Sequence, residues 1–462
     1  MSFWKIINVE NPRFVLFLIF FAVVLMFPYI NVFNLRGEEA LRLIPSWEMF
    51  KRGDWINLTY LGEFYYNKPP FFYWMTIISS KIVGWQELTV RILSILSTVL
   101  IAFGVFLFSN KLFQNKKMAV LSSLIFVTFL DVWFWYGWIG EIDISLTLFV
   151  FIMMASQYLG FSKNSSKWII FSGFMAGIVF LFKGFPSYLF YGLTFLGLSI
   201  YFKRFWVLFR SSYLVAYLLA IIIPMLWIIN TLDPWKHIEV LFRESFMRAE
   251  EGKNIGKFVK HLLMFPLENI KQTLPASIFL LYLIGKQIYS KMKNKVFMVT
   301  PEELKAFGVI LAINYIPYYL SAGSHGRYLL PLFPFVAVIA GYYIYNASEK
   351  VKKVFVLTLF FFFILKGIQV FVIAPAMIKK SGLIKNVAAD MMNYIHTDKK
   401  IACSCEKHKA VCFWIDVFGD TIVAKPSVYP DWTYLITCTE YKEGNLIKSY
   451  KYRKDTIELR VK

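Results

Sequence analysis

Glu38 and Glu39 stand side by side just after the first apolar run of the chain, and Glu141 and Asp143 follow a second interface farther on, marked by the aromatic residues Trp133, Phe134, Trp135, Tyr136 and Trp138. Two acidic sites meeting on one membrane face could supply a general base and a partner for a cation or leaving group. Asp143 opens an apolar run, and an acid in that position is functional or paired. The plainer alternatives are solvated carboxylates at a helix N-terminus, which the helix dipole favours, or salt-bridge partners of a nearby Lys or Arg. The cations available beside them are Lys68, Lys183, Arg243, Arg248 and Arg327. Taken singly each reads as a snorkelling side chain. Taken together beside acids they suit an anionic lipid headgroup such as a phosphate. The five histidines include no two at helical ligand spacing, so a zinc site of the His-Glu-x-x-His type is excluded.

The elements that must carry these residues are membrane helices. The chain is 58% hydrophobic and 19% aromatic with 17% charged residues, and its repeated apolar runs of about 20 residues match a hydrocarbon core about 30 Å thick. Spans are expected near 14–33, 88–109, 118–134, 143–160, 168–182, 186–201, 212–230, 274–290, 305–320, 328–346 and 354–374, about eleven in all. The first is long enough to act as an uncleaved signal anchor. Between the first two lies a polar loop of about 34–86. Leu41, Ile44, Trp47 and Met49 or Phe50 recur there at helical spacing, which predicts an amphipathic interfacial helix over Glu38 to Arg52. The run 69–83 is too short to span and is expected to lie in the interface. A second large loop covers about 231–273.

Treating 69–83 as non-spanning sets the parity of everything after it. The connections at 1–13, 110–117, 161–167, 202–211, 286–305 and 347–353 then share one face and hold 18 Lys and Arg, whereas the short connections opposite hold only Lys183 and Arg327. The positive-inside rule assigns the first set to the cytoplasm. Glu38, Asp143, Lys183, Arg327 and the C-terminal tail are thereby expected outside it. The net charge of +21 follows from those connections and from contact with anionic lipid, and a nucleic-acid partner is rejected. The fold class is an all-α polytopic membrane protein, residues 1–376, with a small extracytoplasmic α/β domain over 377–462. In that tail, strands are expected at 400–402, 421–423, 432–437 and 456–461 and a helix over 384–395. All four cysteines, Cys403, Cys405, Cys412 and Cys438, fall there. Outside the cytosol they would allow one or two disulfides by any of three pairings; free thiols are the alternative.

The stretch GEEALRLIPSWEMFKRGDW followed by YYNKPPFFYW resembles the first extracytoplasmic loop of GT-C glycosyltransferases, in particular the 4-amino-4-deoxy-L-arabinose transferases of lipid A and the related protein O-mannosyltransferase-like enzymes. IGEIDISLTLF is similar to the group's second acidic motif, FLFKGFP to its Thr-Lys-Gly-Pro turn, and GRYLLPLFPFVAVIAG to its Arg-Tyr-Leu-Leu-Pro span; the resemblance covers about residues 10–350. It implies transfer of a sugar from a polyprenyl-phosphate donor to a lipid, polysaccharide or protein acceptor by inverting displacement, at the outer face of the cytoplasmic (inner) membrane. Carried over, Glu38, with Glu39 beside it, takes the place of the catalytic acid and Asp143 that of the second acid. Lys68 and Arg248 would hold the carrier phosphate, with Lys183, Arg327 and Tyr328 near the same headgroup. Leu41 stands where the family often has Arg. Asn67 replaces the Glu that helps bind a metal in the arabinose transferases, so the resemblance requires no cofactor and leaves a divalent cation open. The competing class is a transporter or flippase of a polyprenyl- or sugar-linked lipid, for which charges near the bilayer centre are the usual mark.

Overall fold

The computed structural model describes residues 8–36, 38–250, 255–293, 298–438 and 443–462, with the backbone alone at 246–250 and 381. Asn11 starts the first helix, α1 (Pro12–Val24), by accepting the N–H groups of Arg13 and Phe14, and Pro12 fits the first turn because it has no N–H to leave unpaired. α1 ends well short of the expected 14–33, and the remainder is a run of turns. α2 (Glu39–Arg52) is stopped by Gly53, whose left-handed φ of 67° closes the helix without strain. A two-stranded hairpin, β1 (Thr59–Tyr60) and β2 (Glu63–Phe64), leads to α3 (Phe71–Val83). With 13 residues α3 is too short to cross a bilayer, as its sequence suggests.

Then follow α4 (Leu88–Phe113), α5 (Lys116–Val127), a wide turn Val132–Tyr136, α6 (Ile142–Ser162), α7 (Ser166–Lys183), α8 (Pro186–Phe202) and α9 (Ser211–Ile228). The second large loop is two amphipathic helices, α10 (Pro234–Glu250) and α11 (Ile255–Gln272). α12 (Ala276–Met292), α13 (Glu302–Tyr319), a tight turn Gly326–Leu332, α14 (Phe333–Tyr345), α15 (Glu349–Ile368), a second wide turn Gln369–Ile373 and α16 (Ala374–Ser381) complete the membrane part. Each expected span contains a helix, although α1 and α5 fill only part of 14–33 and 118–134. Among the described residues six helices are long and apolar enough to cross a membrane; α1, α5, α8, α12 and α13 are shorter or more polar. α6 is the most enclosed, with 89% of its apolar stretch buried against 33% for α9. The acid that opens α6 is therefore held by the centre of the bundle, not by its rim.

The last helix runs through Ser381, so the change of character expected at 377 falls at Gly382, whose φ of 65° ends it. Beyond it lie α17 (Ile384–Met391), β3 (Ile401–Ser404), α18 (Ala410–Gly419), β4 (Tyr434–Thr437), β5 (Asn445–Tyr452) and β6 (Asp455–Val461). The sheet has the order β3-β4-β6-β5, parallel between β3 and β4 and antiparallel elsewhere. The strand expected at 421–423 does not form. Asp416 takes the Val423 N–H at 2.6 Å, leaving only an isolated bridge between Ala402 and Ala424. β5 and α18 are additions to the expected set. Of the three possible cysteine pairings, Cys403–Cys412 ties α18 to β3, and Cys405–Cys438 ties the ends of β3 and β4.

α2 is not a helix lying free in the interface. Ten of its 14 residues are buried, because α3 packs along it and the tail sits on it as well. The Trp47 indole donates to the Thr421 carbonyl at 2.7 Å, and Lys51 pairs with Asp420 at 2.9 Å. The hairpin is gripped the same way. Lys425 reaches Glu63 at 2.7 Å, and its N–H donates to the Leu61 carbonyl at 2.9 Å. A Cβ on Gly62 would stand 2.9 Å from that of Ala424, so the approach requires glycine. Glu48 and Asp416 are both fully buried near this seam. Glu48 accepts from the Thr59 hydroxyl and the Gly62 N–H. Burial nevertheless pushes its carboxyl up to about 7, and pushes that of Asp416 well above the usual range.

A raised carboxyl binds more protons in the folded than in the unfolded chain. Stability is therefore lost as pH rises from the ordinary carboxylate range through about 7. Purified protein should melt at a higher temperature near pH ~5 than near pH ~8, with about 2–3 kcal/mol of the difference from Glu48. Glu48→Gln should flatten that dependence; an unchanged pH profile in the variant would remove the assignment.

Candidate active site

The two adjacent carboxylates of the first loop go to different places. Glu39 is fully buried and clasped by Arg91 of α4, with Nε to Oε1 at 2.8 Å and Nη2 to Oε2 at 2.7 Å. The remaining Arg91 N–H groups reach the carbonyls of Ile30, Phe33 and Asn34 at 2.5, 3.0 and 3.1 Å. Glu39 in turn accepts the N–H of Gly140 at 2.8 Å and of Arg36 at 2.7 Å. Five donors and four acceptor positions are thus all used. Expected beside Glu38 as a catalytic acid, Glu39 is instead a structural anchor: nothing of it is left to meet a substrate. Arg91 carried a signal in the sequence, since an arginine inside an apolar span demands a partner.

Glu38, one residue earlier, turns into a polar chamber of about 190 Å³. It is paired there with Arg42, which also donates to the Tyr73 hydroxyl at 3.2 Å. Leu41 stands at the position compared with the family's Arg; the guanidinium comes from the next residue, one helical turn from Glu38. Asp143, in the first turn of α6, accepts from Lys183 at 2.8 Å. Lys183 is the last residue of α7, and Gly184 (φ 77°) then turns the chain directly into α8 at Pro186. Its ammonium also lies 4.8 Å from the Tyr328 ring centre. Arg327 bonds Glu141 at 3.2 Å. Lys68 faces Glu244 of α10 at 3.6 Å, while the Asn67 amide donates to the same carboxylate at 3.4 Å.

The structure therefore brings together Glu38, Asp143, Lys68, Lys183, Arg327 and Tyr328 around one chamber. Arg243 is exposed on α10 and does not line it. The Arg248 side chain lies outside the described residues. Arg42, Tyr65 and Glu244 join the lining without having been singled out in the sequence. Burial opposes the charge on Glu38, but Arg42, Arg327 and Lys68 outweigh it and hold the carboxyl below its usual range. Burial and the neighbouring Asp143 push Glu141 up to about 7 against the pull of Arg327. Among the described residues no three His, Cys, Asp or Glu side chains gather as a metal cluster.

Beside the chamber lies a second cavity of about 570 Å³ that shares Asp143, Lys183, Glu244, Arg327 and Tyr328 with it. The rest of that cavity is mostly apolar, with Val150, Phe190, Phe242 and Pro317 among its walls. Charged groups at the mouth of an apolar cavity suit an amphiphile with an anionic head.

Fold and site together define a polytopic helical membrane protein with a charged chamber beside an apolar cavity. Residues 67–229 match the family model described as dolichyl-phosphate-mannose-protein mannosyltransferase. The chain is 31% identical over 175 residues to an undecaprenyl phosphate-alpha-4-amino-4-deoxy-L-arabinose arabinosyl transferase of Serratia proteamaculans (strain 568), and 31% identical over 173 residues to its counterpart in Yersinia pestis (strain Pestoides F). These matches cover 37% and 36% of this chain and 31% of each relative, so they span less than a third of the relatives' own length. The fold is similar to that of ArnT from Cupriavidus metallidurans bound to undecaprenyl phosphate, with a TM-score of 0.75 at 14% identity over 98% of both chains. It is also similar to ArnT in the apo state, with a TM-score of 0.69 at 15% identity over 97% of this chain and 98% of the other.

Arg91→Met should cost about 3–5 kcal/mol by leaving the Glu39 carboxylate buried without its counter-ion. The effect is read as a lower melting temperature and reduced yield in detergent. An unchanged melting point would show that the pair does not anchor the loop.

Proposed function

We propose that the chain is a membrane glycosyltransferase that moves a sugar from a polyprenyl-phosphate carrier to an acceptor at the outer face of the cytoplasmic membrane. The observation that carries this reading is the joining of a charge-lined chamber to an apolar cavity through shared walls. The prenyl chain would lie along the apolar walls. Its phosphate would sit among Lys68, Lys183 and Arg327, and the sugar would project toward Glu38 and Asp143. In the transfer, an acceptor oxygen forms the new bond to the anomeric carbon from the face opposite the phosphate. The anomeric carbon–phosphate oxygen bond breaks, and the electron pair leaves with the polyprenyl phosphate. Cations placed where that charge develops stabilise the leaving group.

A hydroxyl acceptor would pass its proton to a carboxylate of the chamber; an anionic acceptor would need only to be oriented. The low pKa of Glu38 favours orientation over strong basicity. The transport alternative calls for charges spread toward the bilayer centre, whereas those of the chamber gather where helices begin or end: Glu38 precedes α2, Asp143 opens α6 and Lys183 closes α7. The names of the relatives support an undecaprenyl-phosphate-linked donor.

Glu38→Gln and Asp143→Asn should each lower transfer from a radiolabelled polyprenyl-phosphate sugar in membranes by ~10²–10⁴-fold, with expression and melting point retained. Full activity in both variants would end the assignment. Mass spectrometry of envelope lipids and glycans from cells with and without the chain identifies sugar and acceptor together. A cysteine introduced at Gln114 should resist impermeant thiol reagents added from outside; ready labelling there would invert the orientation.

A further inference from the structure

Most deeply placed cations of the membrane part have a carboxylate: Arg42 has Glu38, Arg91 has Glu39, Lys183 has Asp143, Arg327 has Glu141 and Lys352 has Glu10. Lys366 and Arg36 differ. Lys366 lies in the run LTLFFFFILKGI of α15 with 2% of its surface exposed. Its ammonium donates to the Trp133 carbonyl at 2.8 Å and to the Gln369 side chain at 3.0 Å. That accounts for two of its three N–H groups, and among the described residues no carboxylate pairs with it. The guanidinium of Arg36 lies 4.5 Å from the Phe33 ring centre, again with no ion pair among the described residues. Both line one cleft of about 70 Å³, between the end of α1 and the wide turn after α15, with Trp138 on its wall. The cleft shares no lining residue with the chamber or the apolar cavity.

We propose that this cleft is a second anion site, which binds the phosphate of a membrane lipid headgroup. Lys366 is buried without a carboxylate, and half-buried Arg36 feels only Glu39, which Arg91 already holds, so the cleft keeps a positive excess that an anion would complete. At about 70 Å³ the cleft is about an eighth of the apolar cavity, the scale of a small anionic group. The flanking surface is suited to acyl chains: Phe27, Phe371, Val372, Ile373 and Met377 are all exposed. Lys379 and Lys380, exposed in the last turn of α16, add the positive field that draws anionic lipid to a membrane surface. The wide turn Gln369–Ile373 brings Gln369 to Lys366, and such turns recur at binding sites. A purely structural Lys366 would account for the Trp133 carbonyl but not for Arg36 in the same cleft. The inference does not depend on the transfer reaction.

The test is native mass spectrometry of the full chain in detergent, titrated with phosphatidylglycerol or phosphatidylcholine. A photoactivatable phosphatidylglycerol then maps the contact. The wild type should retain a phosphatidylglycerol adduct that phosphatidylcholine does not replace, crosslinked within residues 366–377. Arg36→Gln should weaken it by about tenfold, the size of one lost charge-assisted contact, with an unchanged melting point. Lys366→Gln should do the same, and Arg36→Gln keeps the test valid if that variant folds poorly. Equal retention by wild type and Arg36→Gln, or crosslinks elsewhere only, overturns the proposal. Displacement by inorganic phosphate with no lipid adduct overturns the lipid as the source of the anion.

Discussion

The ion pair between Arg91 and Glu39 is the constraint on which the site depends. A buried pair is tolerable only when nearly every donor and acceptor around it is satisfied, and here the arginine's five N–H groups and the carboxylate's four acceptor positions are all in use. The groups that satisfy it come from three places: the end of the first apolar run, Arg36 just before α2 and the Gly140 turn. Fixing Glu39 inward fixes the rotation of α2. Successive helical positions point about 100° apart, so Glu38 faces away from the anchor and into the chamber. Gly140 is bound to the same carboxylate, and Asp143 lies three residues beyond it. One interaction therefore sets the distance between the two carboxylates that carry the proposed chemistry.

Around the chamber, charge is arranged as pairs. Arg42, Lys68, Lys183 and Arg327 each face a carboxylate, and those carboxylates come from three segments. A phosphate entering such a site exchanges one anionic partner for another instead of meeting bare cations. The desolvation cost of the cations has been met in advance by folding. The carboxylate released must then stay charged in a smaller space or take up a proton. Glu141, with its carboxyl already pushed up to about 7, is the member of the set best able to do the latter.

Much of this was legible from residue types and their spacing, and the parts that were not share a cause. Carboxylates at the edges of apolar runs, lysines in connections and the parity of the spans point to Glu38, Asp143, Lys183 and Arg327 without coordinates, because hydropathy reports depth in the bilayer directly. Depth does not report rotation about a helix axis. Glu38 and Glu39 are equivalent by composition, and only the position of Arg91 separates them. Glu244 belongs to an amphipathic helix whose polar face could have turned to water, and its role appears only once α10 is seen beside Lys68. In the tail the short apolar stretches of α18 and 421–423 fit strand and helix alike. A single side-chain bond from Asp416 decides the second against a strand.

The tail has a consequence for the chamber that its distance in sequence conceals. Tyr65, Asn67 and Lys68 hang from the hairpin β1–β2, which is only two residues deep on each side, too short to hold its own register in water. Its rigidity comes from outside. Lys425 and Ser427 clamp Glu63, Lys425 takes the Leu61 carbonyl, and Ala424 closes on Gly62. Those tail residues are held in turn by the Asp416 contact and by the disulfide that locks α18 to β3. Asp143 and Lys183 owe their places to the bundle alone. The two halves of the chamber thus have different foundations, one in the packing of α6 and α7 and one in the folded tail. Lys68 is the element most exposed to loss of the second, whereas the carboxylate at the head of α6 survives it.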